Sequence, residues 1–118
     1  MSTLKVNALQ DTSGNGFYPA RAWINFNGTG TVAIRNDDNF SSVTDGGTGY
    51  YTTSFTNNMS SANYSIGQSA GYGTTNLNDS GCAAVQGDPS ASSFIVRSID
   101  TNSTVAYDYK YVMLQVTM

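Results

Sequence analysis

The acid–base and nucleophilic inventory of this 118-residue chain is narrow: eight aspartates, one cysteine, five Lys and Arg, and neither histidine nor glutamate. Ser-His-Asp and Cys-His arrangements therefore cannot be assembled, and a His-based transition-metal site is excluded with them. Asp37-Asp38 and Asp45 could furnish the paired carboxylates of glycoside cleavage. Yet Asp37, Asp38, Asp45, Asp79 and Asp88 each stand beside Asn, Gly or Ser, where a short carboxylate makes a turn, and the turn is the favoured reading. Asp11 to Gly16 has the oxygen density of a calcium loop but lacks the closing bidentate acid, so it too reads as a turn. No catalytic residue, no cofactor and no metal ligand is assigned.

Binding chemistry is easier to supply. Tyr72, Asn76, Asn78 and Asp79 offer an aromatic face, amides and a carboxylate in a Gly-rich stretch, the combination that holds a sugar, and they are the candidate receptor or glycan contacts. Any solvated loop has the same composition. Cys82 is the only cysteine, so no intrachain disulfide can form; a small half-buried thiol is expected, and an intersubunit bridge would not suit assembly in a reducing cell.

The elements that position these residues are strands. Ala22, Ile24 and Phe26 alternate with Trp23, Asn25 and Asn27, and after a Gly-punctuated turn Val32 and Ile34 alternate with Thr31, Ala33 and Arg35. This is a β-hairpin whose Ala22, Ile24, Phe26, Val32 and Ile34 enter one core. Trp23 and Arg35 then share the other face, where an indole is not normally left to water. Leu4, Val6 and Ala8 alternate in the same way and predict a first strand, ending at the turn from Asp11 to Gly16.

Further strands are expected over Phe40 to Thr44, Tyr50 to Phe55, Asn63 to Gln68, Cys82 to Gln86, Ser93 to Ile99 and Val105 to Thr117, with the last two joined as a hairpin through Asp100 to Ser103. Asn57 to Ala62 is a short connection with room for one helical turn. No window shows helical periodicity. The expected fold is a small antiparallel β-sandwich, jelly-roll or Greek-key-like, over residues 20–118, preceded by an extended arm over residues 1–19.

The closing strand is apolar on both faces. Val112, Leu114, Val116 and Met118 occupy one, and Tyr107, Tyr109, Tyr111 and Met113 the other. A sandwich buries one face of each sheet, so the second needs another cover. Leu4, Val6 and Ala8 on an arm pose the same requirement, and a neighbouring molecule meets it. Leu4, Val6, Ala8, Trp23, Arg35, Tyr107, Tyr109, Tyr111 and Met113 are therefore the candidate oligomer or anchoring residues.

Composition agrees with packing among copies. Charged residues make up 11% against roughly 25% in an average soluble domain, so hydroxyls and amides cover the surface and are buried at lower cost than charges. Five cations against eight acids leave a net charge of −3 and no basic patch for phosphates; nucleic acid is not an expected partner. With no long apolar run and no basic-then-apolar leader, membrane insertion and secretion are not expected, and synthesis in the cytoplasm is.

The stretch from Ala20 to Arg35 closely resembles a hairpin that recurs in tail-fibre and other virion surface proteins of tailed bacteriophages, many from aquatic hosts. Met1 to Gly14 is similar to their leader. Thr44 to Thr56, with Met59 and Asn63-Tyr64-Ser65-Ile66, resembles their second hairpin, and Phe94-Ile95-Val96-Arg97 through Asp108 and Tyr111-Val112 resembles their closing strands. Gly67 to Ala91 is the least matched part. The resemblance implies a structural role on a virion, usually as a symmetric oligomer, and does not imply one location on the particle; the leading expectation is a non-enzymatic trimeric short tail fibre or fibre-like appendage in host attachment.

The partners so implied are copies of itself, other tail or capsid proteins and a host surface glycan. Three alternatives remain. A capsid decoration protein cementing the head would use the same arm; a free carbohydrate-binding module would need no arm; a small depolymerase would need Asp37, Asp38 or Asp45 in a cleft.

Overall fold

Alternation of apolar with hydroxyl and amide residues lets each segment pleat with one dry face. The structure is a computed structural model that describes residues 2–16, 20–73 and 80–118. It contains β1 (Ala22–Asn27), β2 (Ala33–Asp38), β3 (Phe40–Gly47), β4 (Tyr50–Phe55), β5 (Ser65–Gly71), β6 (Ser80–Gln86), β7 (Ser93–Asp100) and β8 (Tyr111–Thr117), with no helix among the described residues. Every pairing is antiparallel, in the order β2-β1-β8-β5-β6-β7-β4-β3. The fold is all-β and antiparallel, as expected.

Strands β5, β6 and β7 follow one another as neighbours, and β8 returns beside β5, which is a Greek key. The sheet curls until its halves face each other. Phe26 on β1 meets Tyr51 on β4 edge to face at 5.1 Å, although the two strands belong to opposite halves of the order. Buried side chains alternate along four strands: Ala22, Ile24 and Phe26; Tyr51, Thr53 and Phe55; Phe94, Val96 and Ser98; Val112, Leu114 and Val116. The two buried hydroxyls are satisfied, Thr53 by donating to the Phe94 carbonyl at 3.0 Å and Ser98 to the Tyr107 carbonyl at 2.6 Å.

Between β2 and β3 the chain turns on Asn39 alone, at φ 60°, a left-handed conformation that Asn tolerates better than most residues. Its side chain holds the corner. Asn39 Oδ1 accepts the Asn57 N–H at 2.7 Å while Nδ2 donates to the Asn57 carbonyl at 3.0 Å.

Several expectations are corrected. Leu4, Val6 and Ala8 form no strand: residues 2–9 are exposed, with a bend at Asn7 and no strand pairing among the described residues, because alternation supplies a pattern but not a neighbour. Ile34 faces the core side opposite Phe26 but is 39% exposed, since β2 is an edge strand. Ser93 to Ile99 and Val105 to Thr117 form a hairpin only at its tip, where Ile99 bridges Ala106, the Asp100 N–H donates to the Val105 carbonyl and the Tyr107 N–H to the Ser98 carbonyl. β7 pairs with β4 and β6, whereas the last strand begins only at Tyr111 and lies between β1 and β5 in the other half. Asn57 to Ala62 contains bends and no helical turn, and β5 starts at Ser65 rather than Asn63.

Candidate functional site

Two surfaces and one buried knot account for the candidate residues within the described chain. The first surface is the outer face of β2-β1-β8-β5. Cross-strand register aligns Trp23 with Gln115 and Gln115 with Gly67, and aligns Asn25 with Met113 and Met113 with Ser69. Because Gly67 and Ser69 are small, the row beside Trp23 sinks into an open groove of about 640 Å³, lined also by Asn25, Gln68, Met113 and Gln115. Trp23 is 38% and Met113 41% exposed. The groove wall carries an indole and a thioether among neutral amides.

Arg35 closes one end of this face. Its guanidinium lies 4.3 Å from the Tyr111 ring centre and Nη1 donates to Asn25 Oδ1 at 3.2 Å, so a cation–π contact and an amide fix it in place. Lys110 Nζ stands 5.5 Å from the same ring. The structure thus brings Trp23, Arg35, Tyr111 and Met113 onto one face, as alternation required, with Tyr111 half-buried beneath Arg35.

The second surface is the arm. Leu4, Val6 and Leu9 are 81%, 56% and 53% exposed, and Ala8 is exposed beside them. A tight turn follows, in which Asp11 Oδ1 accepts the N–H groups of Ser13 and Asn15 at 2.9 Å and Oδ2 accepts Asn15 Nδ2–H at 2.9 Å. These bonds hold the Asp11 carboxyl below its ordinary range, the Asn15 side chain contributing most. The aspartate that sequence compared with a calcium ligand spends its oxygens on its own loop. Phe17 to Pro19, which lead into β1, lie outside the described residues.

Tyr107 and Tyr109 separate from this scheme. Tyr107 is 45% exposed, but Tyr109 is 2% exposed and belongs to the core of a single copy, so it leaves the set of candidate interface residues. It lies so close over Gly81 that a Cβ there would overlap its ring. Tyr72 is likewise not a presented sugar contact. It is half-buried, its ring packs against Tyr107 and Tyr109 at 5.9 and 5.4 Å, and its hydroxyl donates to the Asp108 carbonyl at 3.0 Å. Asn76, Asn78 and Asp79 lie outside the described residues.

Asp108 organises the knot, and sequence reasoning missed it. Its Oδ1 accepts the Gly49 N–H at 2.7 Å and the Tyr51 hydroxyl at 2.8 Å, with the Gly28 carbonyl 3.1 Å from the same hydroxyl. Gly28 and Gly49 are required here. A Cβ on Gly28 would collide with the Tyr51 hydroxyl and sit 2.9 Å from the Tyr109 carbonyl, and Gly49 has φ +70° with the Ser98 carbonyl 2.6 Å from a Cβ position.

Burial and then the Asp108 hydrogen bond raise the Tyr51 pKa well above the ordinary 10. Tyr72, bonded to Tyr107 and partly desolvated, is pushed up to about 12. The folded state therefore keeps these protons where the unfolded chain releases them. Their contribution to stability is complete below pH 10 and is lost as pH rises through about 12. In a spectrophotometric titration the Tyr51 and Tyr72 phenols are expected to ionise only well above pH 10, as the fold is lost. A full tyrosine titration near pH 10 with near-UV circular dichroism unchanged would contradict this.

Two of the other carboxylates named by sequence also serve the backbone. Asp37 Oδ2 accepts the Phe40 N–H at 3.3 Å and Asp45 Oδ1 the Gly47 N–H at 2.9 Å. Among the described residues no three His, Cys, Asp or Glu side chains cluster as metal ligands, and no helix is long and apolar enough to cross a membrane. Comparison with family models, curated proteins and solved structures gives no match to this chain.

Proposed function

We propose that the chain is a non-enzymatic structural protein of a bacteriophage virion, a trimeric short tail fibre or fibre-like appendage that takes part in host attachment. What supports this reading is the resemblance of its hairpins to virion surface proteins, together with one physical observation. The domain leaves Leu4, Val6, Leu9, Trp23 and Met113 substantially exposed on two surfaces, large apolar side chains of the kind that an assembly partner covers. In this reading the arm and the Trp23 face are assembly surfaces, and Arg35 and Tyr111 frame the second of them. The partners are copies of the chain and the neighbouring virion proteins.

Light scattering of the purified protein at micromolar concentration is the direct test, with an oligomer expected. Trp23→Ala is expected to weaken association by about 2 kcal/mol or more, as a central aromatic contact does, while the stability of the isolated copy changes by less than about 1 kcal/mol because the indole is not in the core. A stable monomer would overturn the reading. Deleting residues 1–10 is expected to abolish incorporation into particles, and retained incorporation would remove the arm from it. Copy number separates the tail appendage, present in tens, from the decoration protein of the head, present in hundreds.

A further inference from the structure

The curled sheet carries two pairs of edges, and they are treated differently. On one side β2 and β3 are joined through Asn39; β2 displays Arg35, Asp37 and Asp38, and both the β1–β2 and β3–β4 registers are broken by bulges. Charges and bulges of this kind are how proteins keep foreign strands from pairing with an edge. On the other side β5 and β6 pair only through Ala70–Gly81 and Gly71–Ser80. Beyond those pairs Ser65–Ser69 and Cys82–Gln86 have no strand on their second side among the described residues. Neither segment contains Lys, Arg, Asp, Glu or Pro.

Side chains register the gap. Val85 stands opposite Val96 and Gln68 opposite Leu114; Val96 and Leu114 are buried, so Val85 and Gln68 are on the core-facing side too. Yet Val85 is 39% exposed and Gln68 is exposed. The core is uncovered along this seam for want of one strand.

The same chain holds a segment with no strand partner among the described residues. Residues 2–9 are exposed, and Leu4, Val6 and Ala8 recur every second residue, the period that places them on one side of a strand. The six residues from Leu4 to Leu9, short of the Gln10–Gly16 bridge, are enough to cover the five-residue free edge of β6. Charge agrees as well: Lys5 is the only ionic residue between Ser2 and Gln10, while Asp88 follows the end of β6 and the seam has no cation.

We infer that the arm of one copy adds as a strand to the β6 edge of a second copy, with Leu4, Val6 and Ala8 turned inward over Val85 and Ile66. Main-chain hydrogen bonds to Cys82–Gln86 hold it and alternate side chains choose its register, as in other strand additions. The inference rests on the self-association in the reading above and is indifferent to the virion.

Cys82 is exposed and lies on the outer face, since its neighbours Gly81 and Ala83 face the core; it is therefore a reporter already in place. Adjacent strands bring Cα atoms within the span of a disulfide. Single cysteines are introduced into the full chain at Leu4, Lys5, Val6, Asn7, Ala8 and Leu9, each in a Cys82→Ser background, and each variant is mixed with wild-type copies and oxidised. Crosslinked dimers are expected from Lys5→Cys, Asn7→Cys or Leu9→Cys and not from Leu4→Cys, Val6→Cys or Ala8→Cys.

Val85→Lys places a charge at the seam without emptying a packed site, and is expected to abolish the crosslink with the melting temperature unchanged. An oligomer that gives no crosslink, or crosslinks without alternation, overturns the inference and leaves self-association standing. A monomer overturns both. A parallel set of the same arm cysteines that retains Cys82 tests the alternative: crosslinking seen only in that set, within one copy and running as monomer on a denaturing gel, overturns the inference in favour of an arm folded back on its own domain.

Discussion

Phe26→Ala is expected to lower the free energy of unfolding by about 3–5 kcal/mol, the usual cost of emptying a buried phenylalanine site. Phe26 is 0% exposed and its ring is the link across the curled sheet, edge-on to Tyr51. Neither side can collapse into the space, because Tyr51 is pinned at its hydroxyl by Asp108 and the β1 backbone is held on both sides by β2 and β8. Against a total of roughly 5–15 kcal/mol for a small domain, the variant is close to unfolding. Urea denaturation at fixed protein concentration, so that association is held constant, measures it. A loss below about 1 kcal/mol would mean that the two halves of the sheet do not meet through this contact.

Asp108→Ala is the second large effect, expected at about 2–4 kcal/mol. It leaves the buried Gly49 N–H without an acceptor, at about 1–3 kcal/mol, and removes a charge-assisted bond from the Tyr51 hydroxyl. Tyr51 keeps the Gly28 carbonyl as a partner, which caps the loss. Asp108→Asn retains an acceptor oxygen and is expected to cost clearly less. Equal losses in the two variants would assign the effect to charge and not to the orphaned amide. The same denaturation measurement decides between them.

Much of this architecture was legible in the sequence where side chains report it directly. Ala22, Ile24 and Phe26, or Val112, Leu114 and Val116, alternate cleanly, and the structure buries each of them. Alternation failed where it was asked to supply a partner. Leu4, Val6 and Ala8 have the period of a strand with no strand pairing among the described residues of one copy, and Tyr107 and Tyr109 continue the pattern of β8 while running outside it. There the Tyr107 N–H donates to the Ser98 carbonyl and the Tyr109 carbonyl accepts from Gly28, so local periodicity is overridden by bonds to distant residues.

The Asp108 knot was hidden for the same reason. Its members, Gly28, Gly49, Tyr51, Tyr72 and Asp108, are scattered along the chain and form no motif. The signal that existed was indirect: two glycines flanking turn sequences, and a tyrosine in a strand whose alternate positions point inward. Trp23 and Arg35 were placed on one face from period two alone, and the Arg35 contact with Asn25 and Tyr111 adds what register supplies once β8 is known to lie beside β1.

The position of β8 has a kinetic consequence. It is the centre of the first layer, flanked by β1 and β5, but it comes last in synthesis order among the eight strands. A nascent chain can zip the β1–β2 and β3–β4 hairpins early, yet it has nothing to lay between β1 and β5 until residues 111–117 leave the ribosome. That half therefore waits for the last of the eight strands, and its folding is slow, on the ms–s scale of topologies dominated by distant pairings. Until then the half-made sheet is the form most exposed to chaperones and to aggregation.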